Sequence, residues 1–267
     1  MDLATILGLF AALGIVMVAV IMGGGSVGEL FAQPDAILLT VVGAMMASLV
    51  SVSLKTFLNV PKLIIKAFTG KAIDPMPAID DLTDMADKAR RDGLLALEEK
   101  AKSLDEPFLR KGVMLVVDGV DPAQVKAILS SEIENMKDRH AAGYGYFNAC
   151  GGFGPTMGMI GTVLGLIAAM KNLENPADLG RSIAAAFLTT LWGVASSNLL
   201  WLPLGGKLEY NSEQEASYRY MLLDGILALQ AGENPRMVRE KLMAYVPPSV
   251  RVDDAAQANA VSAGAEA

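Results

Sequence analysis

Apolar residues fall along the chain in four long runs divided by one broad polar block. The first run, Leu3 to Met22, carries no charge, and a glycine-rich break from Gly23 to Glu29 follows it. A second uncharged run extends from Ala36 to Leu54. The third, Ala141 to Met170, and the fourth, Ser182 to Gly206, are separated only by KNLENPADLGR. Each is about as long as the roughly 20 residues a helix needs to cross the hydrocarbon of a bilayer. The pattern predicts an α-helical hairpin in 1–54, with spans at about 3–22 and 36–54, and a second pair in 144–206, with spans at about 147–170 and 182–204.

The polar block, 55–143, also reads as helix. A segment near Lys55–Phe68 precedes the IDPMP linker, and apolar residues from Ile79 to Leu104 recur at helical spacing with a break near Gly93. Pro107 opens a helix to Val117. Asp121-Pro122, an acidic cap before a proline at the first helical position, opens another with no breaker before Gly143, so it runs on toward the third span. Over 207–250 a helix from Leu208 to Ala231 and a short one from Pro235 to Ala244 are expected. The tail, 251–267, is low in complexity and expected to be disordered. No segment reads as a strand, so the predicted class is all-α: a polytopic membrane protein with four transmembrane helices and a helical cytoplasmic domain.

Basic residues give the orientation. Lys55, Lys62, Lys66 and Lys71 follow the second run and Lys207 follows the fourth, whereas the loop 23–35 has none. Lysine and arginine favour the cytoplasmic side, which places the polar block and both termini there. A hydrophobic fraction of 52%, a charged fraction of 19% and a mean hydropathy of +0.39 fit an integral membrane protein. The net charge of −7 argues against a nucleic-acid partner. One cysteine, Cys150, and one histidine, His140, leave no disulfide framework and no zinc cluster. The acidic start, Met1-Asp2-Leu3, is unlike a secretory signal, so the first run is expected to stay in place. Gly23, Gly25 and Gly28 match GxGxxG, but no strand precedes them, and a turn is the expected reading. No nucleophile–base set, metal-ligand set or phosphate loop is present, so no enzyme, cofactor or bound metal is expected.

The four runs contain no Asp, Glu, Lys, Arg or His. Ion-coupled machines need an ionisable group within the membrane. This chain is therefore uncoupled to ions, as a passive scaffold would be, or it walls in a partner helix that brings the carboxylate. Pro155 and Pro203 interrupt the third and fourth runs, as static kinks or as hinges. Gly154/Gly158 and Gly161/Gly165 are small-xxx-small pairs suited to close helix packing. The hydroxyls of Thr162, Thr189 and Thr190 either line an ion path or bond their own backbone. The mixed-charge stretch from Asp87 to Lys100 is a solvated face with internal ion pairs or an electrostatic docking surface.

In order along the chain, MDLATILGL, ARRDGLLALEE, PTMGMIGTVLGL, AFLTTLWG, WLPLGGKL and DGILALQAGENPR resemble the A-subunit of bacterial flagellar stators, of the MotA and especially the PomA type. The resemblance covers Met1 to about Val246. It implies a homo-pentamer around a B-subunit (MotB/PomB type) that supplies a membrane aspartate, with Na⁺ or H⁺ as the transported ion. It also implies contact with a FliG-type rotor switch protein through Arg90, Arg91, Glu98 and Glu99. Thr162, Thr189 and Thr190 would belong to the ion route, Pro155 and Pro203 to conformational coupling, and Lys207 to the cytoplasmic exit. Asp92 stands where PomA-type chains commonly carry a small residue. An ExbB/TolQ-like energiser of another envelope process is the related alternative; there, one span rather than two would precede the polar insert.

Overall fold

The computed structural model describes residues 3–70, 73–171, 173–248 and 251; apart from Arg251, the tail lies outside the described residues. Every regular element among the described residues is helical. The chain divides into two compact units, Met1–Lys71 with Asp138–Ser212 and Ala72–Lys137 with Glu213–Ala267. Two helices, Pro122–Lys171 and Pro176–Gln230, contribute to both.

In the first unit, α1 (Leu3–Met22) is apolar all round. None of its 18-residue stretch Thr5–Met22 is buried within the chain, a surface that water would not support but hydrocarbon does. Ser26 accepts a hydrogen bond from the Gly28 amide and starts α2 (Val27–Leu30). The next apolar helix, α3 (Pro34–Leu49), contains a π turn at Leu38–Val42. It stops short of the Leu54 end expected from the sequence. Ser51 donates to the Ser48 carbonyl at 2.9 Å, and Ser53 caps the Thr56 amide of α4 (Leu54–Leu58). Serine hydroxyls compete here with the continuing helical ladder. At the α-helical rise α3 is about 24 Å long, less than the roughly 30 Å of hydrocarbon. Among the described residues three helices, rather than four, are therefore long and apolar enough to cross a bilayer by length and composition. The segment expected as one helix near Lys55–Phe68 is split at Asn59 into α4 and α5 (Val60–Thr69), where Pro61 sits in the first turn of the second.

The second unit starts with α6 (Met76–Asp92), the 3₁₀ turn Leu94–Leu97, α7 (Glu98–Ser103) and α8 (Pro107–Val117). The break lies where the sequence places it: Gly93 has φ +84° and ψ 166°, a region that only glycine enters cheaply. α9 (Pro122–Lys171) and α10 (Pro176–Gln230) follow, then α11 (Pro235–Met243). Leu82, Leu97, Leu109, Leu129, Ile226 and Leu242 are fully buried in the second unit's core. The first unit packs Tyr146, Phe147, Cys150 and Trp201 against Val60 and Ala67.

The expectation that the Asp121-Pro122 helix runs into the third span is met: α9 is continuous over 50 residues, and the Asp121 carboxylate accepts from the Ala123 amide at 2.9 Å. The fourth span and the helix expected from Leu208 are likewise one element, α10. Gly205-Gly206 does not interrupt it, and Gly205 leaves no room for a side chain: a Cβ there would lie 3.3 Å from Phe147 Cβ and against the Asn148 side chain.

Candidate functional sites in the two units

α9 and α10 pack closely through the small residues noted in the sequence. A Cβ on Gly158 would come within 3.2 Å of the Thr189 carbonyl and of Thr190 Cα. One on Gly165 would lie 2.8 Å from Ala186 Cβ, and one on Gly154 would lie 2.9 Å from the Gly193 carbonyl. These approaches let backbone meet backbone, and they align the hydroxyls between the helices. Thr162 Oγ1 lies 3.0 Å from the Gly158 carbonyl and 3.2 Å from that of Ala186, and it is hydrogen-bonded to Thr190 Oγ1. The cluster thus holds four oxygens and two hydroxyl protons, so lone pairs outnumber donors. Oxygen-rich, uncharged surroundings suit a hard monovalent cation. Thr189 is placed differently: it is buried, donates to the Ala185 carbonyl of its own helix at 2.8 Å, and packs its methyl against Gly161.

Pro155 lies inside α9 without ending it. Pro203 follows a π turn, Ser197–Trp201, within α10. Proline removes a helical donor and crowds the preceding turn, and a π turn is one of the usual ways a helix absorbs this. Pro203 and Lys207 line one groove of ≈ 510 Å³ with Thr5, Leu9, Asn198 and Tyr210. The Lys207 ammonium sits 5.0 Å from the centre of the Tyr210 ring, a cation–π distance.

The remaining candidates are in the second unit. Arg90, Arg91, Glu98 and Glu99 are all exposed and flank the turn at Leu94–Leu97. Arg91 pairs with Asp87, and Lys102 bonds Glu98 at 2.6 Å. The Lys102 hydrogen bond and charge hold Glu98 below the usual carboxylate range. Among the described residues Arg90 has no ion-pair partner. Between these charges Leu95 is 75% exposed, an apolar tip within a charged rim. Arg91 and Asp92 also border an open polar groove of ≈ 510 Å³ with Asp84, Asp87, Lys88 and Lys100. Internal pairing and an exposed mixed-charge surface therefore coexist.

Sequence reasoning missed the groups that tie the first unit together. The Trp192 indole donates to the Leu30 carbonyl at 2.8 Å and stands edge-on to Phe31. Ser197 donates to the Gly151 carbonyl at 2.6 Å. The available signal was the Ser196-Ser197 pair in an otherwise apolar run, but its partners depend on helix register.

Comparison with known proteins bears on the family and the fold. The model of the MotA/TolQ/ExbB proton channel family matches residues 100–221. The chemotaxis protein PomA of Vibrio alginolyticus is 40% identical over 246 residues, 92% of this chain and 96% of that protein. The flagellar MotAB stator complex from Bacillus subtilis has a chain of similar fold, with a TM-score of 0.85, 34% identity, and coverage of 96% of this chain and 99% of that one. The MotAB of C. jejuni gives a TM-score of 0.87 at 29% identity, covering 93% and 97%. With 40% identity to PomA across 92% of its length, the chain belongs to the MotA/TolQ/ExbB proton channel family, on its MotA/PomA branch.

Proposed function

We propose that this chain is the A-subunit of a flagellar-motor stator that turns cation flow into torque. The observation that carries the reading is a close-packed helix pair with clustered hydroxyls and interior prolines but no Asp, Glu, Lys, Arg or His in its two apolar runs. Neutral oxygens can pass a cation but cannot change charge state as it passes. The acidic group has to come from another polypeptide, and MotAB complexes, in which an A and a B chain combine, are the structures this chain resembles. In this reading the chain crosses the inner membrane four times, α3 making the shortest crossing, with both termini cytoplasmic. Five copies surround two B-subunits whose aspartate loads and releases Na⁺ or H⁺.

Each monovalent ion crossing delivers about 2.3 kcal/mol per 100 mV from the potential alone, several times RT. Pro155 and Pro203 convert loading into bending. Arg90, Arg91, Glu98 and Glu99 pass the motion to a FliG-type rotor protein. Exposed ion pairs are worth about 0–1 kcal/mol each, so removing one charge slows rotation and reversing one slows it further. The test is complementation of a strain lacking its A-subunit with wild type, Arg90→Ala and Arg90→Glu, scored by rotation speed at equal protein level. The expected order is wild type, then Ala, then Glu. Current carried by the purified A chain without a B-subunit would overturn the proposal.

A further inference from the structure

Pro155 has no N–H, so the carbonyl four residues earlier, on Gly151, loses its helical donor. Within hydrocarbon no water reaches that oxygen, and an orphaned carbonyl there is costly. Ser197 of the facing helix fills the gap. It is 2% exposed, and its hydroxyl donates to the Gly151 carbonyl at 2.6 Å. Contact at the bend is close: a Cβ on Gly154 would lie 3.4 Å from Ser197 Cβ. Neighbouring Ser196 does not serve this carbonyl, because its hydroxyl is turned to Gly193 of its own helix at 3.2 Å.

Ser197 also opens the π turn Ser197–Trp201, which ends immediately before the helical segment containing Pro203. The Leu202 amide reaches back to the Ser197 carbonyl, the five-residue bond of a π turn. Through its side chain Ser197 therefore holds the site that Pro155 frees. Through its backbone it anchors the widening that accommodates Pro203. We infer that Ser197 is a positioning residue that latches the two proline bends to each other, so that neither bend changes without pulling on the other. The role in torque rests on the stator reading; the latch itself does not.

Two measurements on the complex with its B-subunit test it. In the first, melting temperatures in detergent are compared for wild type, Ser197→Ala, Pro155→Ala and the double variant. In the Pro155→Ala chain an N–H returns to the Gly151 carbonyl and the serine becomes redundant. Ser197→Ala is expected to lower Tm by about 2–4 °C when Pro155 is present and to have no measurable effect in the Pro155→Ala background. The same shift in both backgrounds, or none in either, overturns the latch. In the second, torque per stator is measured at high load, with stator number counted by fluorescence at single motors. Ser197→Ala is expected to lower torque per stator about two-fold or more; torque per stator equal to wild type overturns the coupling role. If the wild-type chain fails to restore rotation, the stator reading falls, while the melting cycle still decides whether the latch exists.

Discussion

The contact between α9 and α10 sets a sharp test at Gly165. An alanine there places Cβ 2.8 Å from Ala186 Cβ and 3.0 Å from Ala186 Cα. Carbon atoms pack best about 3.5–4.0 Å apart, so the helices must part by roughly 0.7–1.2 Å at this level. Overpacking of this kind costs about 1–3 kcal/mol. Ala186 also accepts from Thr162 at 3.2 Å, and a displacement of that size takes the bond beyond hydrogen-bonding distance. Replacing glycine by alanine in a helix brings back about 1 kcal/mol of propensity, which partly offsets the clash. A second variant isolates the two effects. Gly145 lies in the same helix, and a Cβ there meets nothing within 4 Å. Gly145→Ala should raise Tm through propensity alone, and Gly165→Ala should fall below it by about 1–3 kcal/mol, or about 2–4 °C per kcal/mol. Thermal melts of the two purified variants against wild type decide the matter. Equal shifts would refute the claim that this glycine is required for close approach.

Two further outcomes follow from the second unit. Gly93→Ala forces a side chain into φ +84°, ψ 166°, at a cost of about 1–3 kcal/mol; a lowered Tm is expected, and an unchanged one would show that the turn carries no strain. Burial first, then the nearby Glu106, Asp74 and Asp81 carboxylates, push the Tyr218 phenol from 10.0 to about 12. A group raised on folding contributes stability that is whole below the unfolded value and is lost as pH climbs toward the folded one. Wild type should therefore lose stability between pH 10 and 12 relative to Tyr218→Phe, and parallel denaturation curves over that window would contradict the assignment.

What the sequence revealed and what it hid differ in physical range. Helix starts at Asp121-Pro122 and Pro235 are readable, because a cap and a proline act within one turn, whereas the helix expected from 182 starts at Pro176, where Asn175 supplies the same kind of cap. The break at Gly93 is local for the same reason. By contrast, Gly205-Gly206 looks like an end to the fourth span, yet α10 continues through it, and Gly205 serves the close approach of Asn148 and Phe147 on another helix, which the sequence does not display. The end of α3 at Leu49 was hidden because apolar residues continue beyond it; the hydroxyls of Ser51 and Ser53, not hydropathy, redirect the backbone. Thr162, Thr189 and Thr190 are indistinguishable as residue types. Only the helix register set by Gly158, Gly161 and Gly165 turns two of them toward each other and seals the third in the interface.

The same register explains why a chain without a membrane carboxylate can still be more than packing. Two hydroxyls of α9 and α10 reach across the interface between them: Thr162 to the Ala186 carbonyl and Ser197 to the Gly151 carbonyl. Pure anchoring would be served as well by leucine zippering, with each helix satisfying its own backbone. Instead, polar bonds cross between the two helices at levels both above and below Gly158, and each can lengthen or shorten without placing a charge in hydrocarbon. These runs carry no Asp, Glu, Lys, Arg or His of their own, so in the proposed stator the energy of each step would be set by the ionisable group the wall encloses.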